Sequence, residues 1–244
     1  MKGIILAGGT GSRLAPLTDV FNKHVLPVGR YPMIVHPLMQ MARAGIKEIL
    51  IVTTVAALGD LSRTLGSGSK FGVDLTYRVQ EQPKGIAQAL ALAASFVQQD
   101  LCTVILGDNI FTADLEPYVQ GFVHRDHGAQ ILVKQVHDPS RYGIAQIEQG
   151  RVTSIMEKPP QPTSNLAVTG IYMYDPHVFR LIETLQPSSR GEYEITDVNN
   201  LYIKHSEMSY AVLSGDWIDA GTFPSLARAN EIMARCSYPE LSTL

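Results

Sequence analysis

The stretch that decides the fold is Leu6-Ala7-Gly8-Gly9-Thr10-Gly11-Ser12-Arg13-Leu14, with Pro16, Thr18 and Lys23 close behind it. It grows out of a short apolar run, Gly3-Ile4-Ile5-Leu6-Ala7, whose unbroken hydrophobicity reads as a buried strand. Three glycines in four positions then leave a loop clear of side chains, where backbone N–H groups can converge on an anion such as a phosphate. Arg13 and Lys23 add the positive charge that a polyphosphate needs. Two familiar glycine loops fail here by one residue. A dinucleotide fingerprint aligned on Gly9 and Gly11 wants glycine or alanine where Leu14 stands, and a Walker loop aligned on Gly3 and Gly8 wants lysine where Gly9 stands. On the loop alone, a tight strand-to-helix turn without a ligand remains open.

Working outward, the rest of the chain sets the frame for that loop. Its 244 residues suffice for one large domain or two small ones, and 45% hydrophobic residues can build a substantial core. With no internal repeat, low-complexity segment or clear linker, one domain over residues 1–244 is the simplest expectation. A net charge of -3 argues against a general nucleic-acid binder, which would show a basic face. No apolar run is long enough to cross a bilayer, and the opening residues lack the pattern of a secretory signal. Cys102 and Cys236 lie far apart without metal-ligand spacing, as suits a reducing compartment, so a cytoplasmic protein is expected.

Short apolar strands at Gly3–Ala7, Ile46–Val52, Val73–Val79 and Thr103–Leu106 alternate with helical patterns at Pro32–Ala42, Leu58–Leu65 and Gly85–Val97. Pro37 falls inside the first of these helices, where a proline would kink it. The alternation predicts a three-layer α/β sandwich with a mainly parallel, Rossmann-like sheet. Ligands gather at the carboxyl ends of such strands, which is where the glycine loop, Gln80 and Asp108 fall. From about residue 129 the rhythm changes to strands at Ala129–Val136, Gly143–Glu148, Val152–Glu157 and Ala167–Tyr174. Helices over Pro176–Thr184 and Glu194–His205 follow, then a strand at Met208–Leu213, a last helix over Pro224–Arg235 and a short tail. Residues of about 1–128 thus form one half of the site, and about 129–244 extend the sheet with mixed strands as its second wall.

Asp108 and Asp219 each emerge from a strand beside a glycine. Two such carboxylates could share Mg²⁺, a hard cation that takes oxygen ligands and phosphates; each could also merely cap the next helix or turn. Glu157-Lys158-Pro159 ends a strand, and its neighbouring opposite charges are as compatible with a solvated ion pair as with a site. The seven histidines show no metal spacing, and His124 and His127 read as surface residues on a helix.

The wider pattern carries more weight. Leu-Ala-Gly-Gly-x-Gly-x-Arg-Leu-x-Pro-x-Thr, Asn22-Lys23-His24-Val25-Leu26-Pro27-Val28, Gly107-Asp108-Asn109, Glu157-Lys158-Pro159 and Trp217-Ile218-Asp219-Ala220-Gly221-Thr222 together resemble the signature of the sugar-phosphate nucleotidylyltransferases. The resemblance runs from Lys2 to about Ala229. It implies that Leu6, Gly8, Gly9 and Gly11 hold a nucleoside triphosphate whose phosphates Arg13 and Lys23 grip, and that Asp108 and Asp219 bind Mg²⁺. Gln80 and Gly85 match the base-reading segment of members specific for thymidine triphosphate, a glutamine offering one donor and one acceptor to an imide edge. Lys84 stands where many members are acidic, a departure that bears on base preference. Lys158 would bind the sugar phosphate and Glu157 the sugar hydroxyls, with Asn109, Tyr142, Gly143 and Val168 completing the sugar pocket and Glu194 a further candidate.

The implied reaction is in-line attack of glucose 1-phosphate on the α-phosphorus of dTTP, giving dTDP-glucose and pyrophosphate for deoxysugar synthesis such as dTDP-rhamnose, with Arg13 and Lys158 as catalytic groups. UTP or another triphosphate is the nearer alternative, and a silent nucleotide-sugar-binding regulatory protein the more distant one. The family is usually homo-oligomeric. Many of its thymidylyltransferases continue past the point where this chain stops, at Leu244, through a segment that shapes an allosteric site, so altered or absent feedback control there is expected.

Overall fold

The computed structural model describes residues 1–236; the expected tail lies outside them. Thirteen strands are present among these residues: β1 Lys2–Ala7, β2 Pro27–Val28, β3 Tyr31–Pro32, β4 Glu48–Thr54, β5 Asp74–Gln80, β6 Cys102–Leu106, β7 Asn109–Phe111, β8 Ala129–Gln135, β9 Gly143–Glu148, β10 Arg151–Glu157, β11 Leu166–Tyr174, β12 Met208–Val212 and β13 Trp217–Asp219. The α-helices are α1 Leu17–Val20, α2 Val35–Arg43, α3 Val55–Leu65, α4 Ile86–Ala91, α5 Ala94–Val97, α6 Glu116–Arg125, α7 His177–Glu183, α8 Ile195–Lys204 and α9 Phe223–Ala234.

Nine strands form one sheet, running β10-β9-β11-β6-β1-β4-β5 with β8 and β12 attached beside β11. Strands β5, β4, β1 and β6 are mutually parallel, whereas β11 enters antiparallel to β6 and starts the mixed portion. The sheet therefore continues without a break across residue 128. Alternate residues of the central strands serve opposite faces, the period-2 rule of a pleated strand. Ile4, Leu6, Leu50 and Val52 pack with α4, α7 and α8 on one side. Ile5, Ala7, Ile49 and Ile51 pack with α2, α3 and α6 on the other. This is the expected three-layer α/β arrangement. A third, smaller core of Val28, Met33, Ile110, Ala220, Ala229, Ile232 and Met233 seats α9 against the β2–β3 and β7–β13 pairs.

Three local expectations change. Helix α2 begins at Val35, not Pro32, so Pro37 sits in the first turn, where its missing N–H has no helical partner to lose. The single helix expected over Gly85–Val97 is two pieces, because Leu92 and Ala93 donate three residues back, to Ala89 and Leu90, in the tighter 3₁₀ pattern. His127 lies beyond α6, which ends at Arg125; His124 and His127 are both exposed.

The candidate active site

Two cavities open along the carboxyl ends of the parallel strands and meet at Ile86, Leu106 and Asp108. The first, of about 260 Å³, is walled by Leu6, Gly8, Gly9, Lys23, Gln80 and Gly85. Gln80 is the last residue of β5, 3% exposed, and its amide nitrogen donates to Gln88 Oε1 at 2.6 Å. A Cβ on Gly8 would collide with Gln80 Oε1, so the loop passes close over this amide only as glycine. Gly85 has φ +102, and a Cβ there would lie 2.8 Å from Tyr193 N, so that position demands glycine twice over. Glu192 also faces this cavity, a residue that spacing had not singled out. Lys84, the residue at odds with the family pattern, instead lines a separate depression with Glu81, Gln82 and Gln88. Gly11 is the left-handed N-cap of the 3₁₀ turn Ser12–Leu14, with φ 74, and stands outside the lining of this first cavity.

The second cavity, of about 210 Å³, gathers Arg13, Asp108, Asn109, Tyr142, Gly143, Glu157, Lys158, Val168 and Asp219. The residues expected for the sugar pocket, Glu194 apart, line it together, and Arg13 lines this second cavity rather than the first. Asn109 is the hub. Its Oδ1 accepts from Trp217 Nε1 at 2.6 Å and from the Gly170 N–H at 3.2 Å, while its Nδ2 donates to Asp108 Oδ1 at 3.2 Å. Trp217 in turn meets Tyr142 edge-on, ring centroids 5.3 Å apart. Glu157 Oε2 accepts from Thr196 at 2.8 Å, and Lys158 Nζ lies 3.3 Å from Glu157 Oε1. Lys158 has φ +43, a left-handed backbone that an L-residue adopts at a cost of about 1–2 kcal/mol. The lysine is half-exposed and lines the cavity. Glu194 is used differently from expectation: its carboxylate accepts from Arg190 and Ser188 beside the pocket. Thr196 and Asn199, from the same helix α8, line the cavity instead.

The two aspartates come together through a ladder invisible at sequence level. β7 and β13 pair antiparallel with Asp219 opposite Asn109, and the Ala220 N–H donates to Asp108 O. The helix cap that either aspartate might have supplied is filled by Thr222, which forms a capping box with Ser225 at the start of α9. Burial raises the Asp219 carboxyl, the Asp108 charge raises it further, and it reaches about 6 despite Lys23 and Arg13 nearby. Asp108 is buried too, yet the Lys23 ammonium at 2.5 Å overrides that burial and holds it below the usual carboxylate range. Beneath them His24, fully enclosed next to Lys23, is pushed down to about 3 and stays neutral. Two carboxylates that repel one another at the mouth of a polar cavity are a fitting partial shell for a hard dication whose other ligands are phosphate oxygens. Among the described residues no cluster of three or more His, Cys, Asp or Glu side chains could hold a metal by itself.

Comparison with known proteins identifies the family. Residues 2–235 match the family model described as nucleotidyl transferase. A glucose-1-phosphate thymidylyltransferase of Mycolicibacterium smegmatis is 43% identical over 96% of this chain and 82% of its own length. That of Neisseria meningitidis is 41% identical over 94% and 81% respectively. Among solved structures, a Bacillus anthracis protein described as a glucose-1-phosphate thymidylyltransferase, in complex with a sucrose, superposes with TM-score 0.96 at 51% identity, covering 100% of this chain and 99% of that one. A UDP-glucose pyrophosphorylase bound to UDP-glucose shares the fold, with TM-score 0.84 at 23% identity over 96% and 98% of the two chains. No helix among the described residues is long and apolar enough to cross a membrane. The chain belongs to the nucleotidyl transferase family, and the enzyme it encodes transfers a nucleotidyl group to a sugar phosphate.

Proposed function

We propose that the enzyme joins dTTP and glucose 1-phosphate to give dTDP-glucose and pyrophosphate. The observation that carries this is the meeting of two differently equipped cavities at Asp108. One carries a glycine loop and a buried glutamine; the other carries Lys158, Glu157 and a ring of hydrogen-bonding groups. The glutamine suits the imide edge of thymine, which offers one donor and flanking acceptors. The names of the relatives support a sugar phosphate as the second substrate.

The nucleophile is a phosphate oxygen of the sugar phosphate, ionised at neutral pH, so no side chain has to remove a proton. That oxygen bonds to the α-phosphorus of dTTP while the bond from the α-phosphorus to the bridging oxygen breaks, and pyrophosphate leaves with the electron pair. Catalysis then reduces to alignment and charge neutralisation. Lys158, fixed by its left-handed backbone and its place beside Glu157, steers the attacking phosphate. Arg13, exposed on its 3₁₀ turn next to Asp219, offsets charge on the triphosphate, and Lys23 reaches its phosphates from the floor of the first cavity. Asp108 and Asp219 would hold Mg²⁺, which supplies Lewis-acid neutralisation of the phosphate oxygens. The same reading places the enzyme in a reducing cytoplasm, where its free cysteines persist, supplying dTDP-deoxysugar synthesis such as dTDP-rhamnose.

Pyrophosphate release measured over a grid of nucleoside triphosphates and sugar 1-phosphates tests this. The greatest kcat/KM is expected for dTTP with glucose 1-phosphate; a clear preference for UTP, or for another sugar, would displace the assignment.

A further inference from the structure

Asn199 lies on α8 one turn after Thr196, lines the sugar cavity, and is only 1% exposed. Its Oδ1 accepts from the Tyr174 hydroxyl at 2.7 Å. Its Nδ2 has no protein partner among the described residues, nor is it one of their dry, orphaned polar atoms. The only space left for that NH₂ group is the cavity.

The Tyr174 ring cannot turn away from this task. It is fully buried and stacked between Tyr172, at 6.0 Å, and Tyr202, at 5.8 Å. Tyr202 is itself anchored through its hydroxyl to Asp175 Oδ1 at 2.7 Å. The Tyr174 hydroxyl proton finds its acceptor in Asn199 Oδ1. Turning the amide over would orphan that proton in the core, at a cost of about 1–3 kcal/mol. The tyrosine therefore sets which end of the amide faces the sugar. Burial pushes its phenol well above the usual range, so it remains a donor at every working pH.

We propose that Asn199 is a specificity-determining donor to one hydroxyl of the sugar phosphate, and that Tyr174 is the positioning residue that keeps its NH₂ group turned into the pocket. The inference rests on the functional reading above and deepens it. Glu157, held one helical turn away by Thr196, is an acceptor; Asn199 supplies the complementary donor. A pocket built in this way distinguishes a hydroxyl from its absence, because removing the hydroxyl leaves the buried amide unpaired.

The test compares wild type, N199A, N199D and Y174F using dTTP with glucose 1-phosphate and with the series of monodeoxy glucose 1-phosphates. In wild type, one member of the series should lose about tenfold in kcat/KM, the worth of one hydrogen bond. N199A should erase that penalty and leave the others in place. N199D keeps the shape and its bond to Tyr174 but turns an acceptor into the cavity, so it should raise the KM for glucose 1-phosphate by at least about tenfold. Y174F should raise that KM severalfold with a smaller loss in kcat and no change in the KM for dTTP, a split that a general loosening of the core would not produce. Penalties unchanged in N199A, or a wild-type KM in Y174F, would overturn the inference alone. A wild type inactive with every sugar phosphate would overturn the functional reading and this inference together.

Discussion

Replacing Gly8 with alanine isolates the part of the site proposed to read the base. Gly8 does not have a left-handed backbone, so alanine brings no conformational strain; what it brings is a methyl group into Gln80 Oε1, with only Gln80 and Thr54 atoms within reach. The amide must move, and since Gln80 is 3% exposed and tied to Gln88 at 2.6 Å, moving it breaks that bridge. The bridge is worth about 1 kcal/mol of stability. Two hydrogen bonds from Gln80 to a thymine are worth about 1 kcal/mol each, so kcat/KM for dTTP should fall by about 30-fold. Cytosine lacks the imide hydrogen, so kcat/KM for dCTP should fall far less, and the ratio of dTTP to dCTP should collapse.

The control is the double-mutant cycle with Gln80→Ala. With the amide gone there is nothing for the new methyl group to strike, so Gly8→Ala in that background should cost less than about threefold, a strong coupling between the two sites. The assay is pyrophosphate release with dTTP and dCTP at saturating sugar phosphate. If Gly8→Ala costs as much without Gln80 as with it, the loop acts on the phosphates and not through the amide, and the reasoning fails.

Lys158→Gly should be more stable than Lys158→Ala by about 1 kcal/mol in urea melts, because glycine accepts φ +43 freely, while both lose at least about 100-fold in kcat. Equal stabilities would show that the strain is not real. Asp219 is raised to about 6, above its unfolded value near 3.9, so the folded protein binds this proton more tightly and the metal-free form loses stability as pH rises from about 4 to about 6. Asp219→Asn removes the titration: relative to wild type it should gain stability across that window in chelator-treated melts, yet show no turnover. Thr222→Ala should cost about 1 kcal/mol in the same melts by opening the capping box of α9. Chelation should abolish pyrophosphate release, and added Mg²⁺ should restore it.

What could be read from the chain was what the chain does locally. β1 declared itself because a short apolar run meets three glycines, while that junction left a ligand-free turn open until the wider motif was read with it. Glu157-Lys158-Pro159 likewise marks a strand end, but its charges alone left a solvated ion pair open. The β7–β13 ladder could not be read. Each strand has three residues, too few for any periodicity, and their pairing joins positions 108 apart through Trp217 and Asn109. Thr196 and Asn199 were equally silent, since a threonine and an asparagine on a helix face carry no signal until β10 supplies Glu157 opposite them. In that case a motif, Glu-Lys-Pro, named one half of an interaction and left the other half to tertiary structure.

Charge shows most plainly why a residue-by-residue reading stops short. Taken singly, Lys23 calls for a phosphate and Asp108 for a metal. In the folded chain they satisfy each other, 85 residues apart in sequence, with Lys23 buried and Asp108 largely so. A lone buried lysine or aspartate would be costly, and each of the two offsets the other's charge. The two proposed assignments therefore fall on one contact, between the 3₁₀ turn Lys23–Val25 and the end of β6.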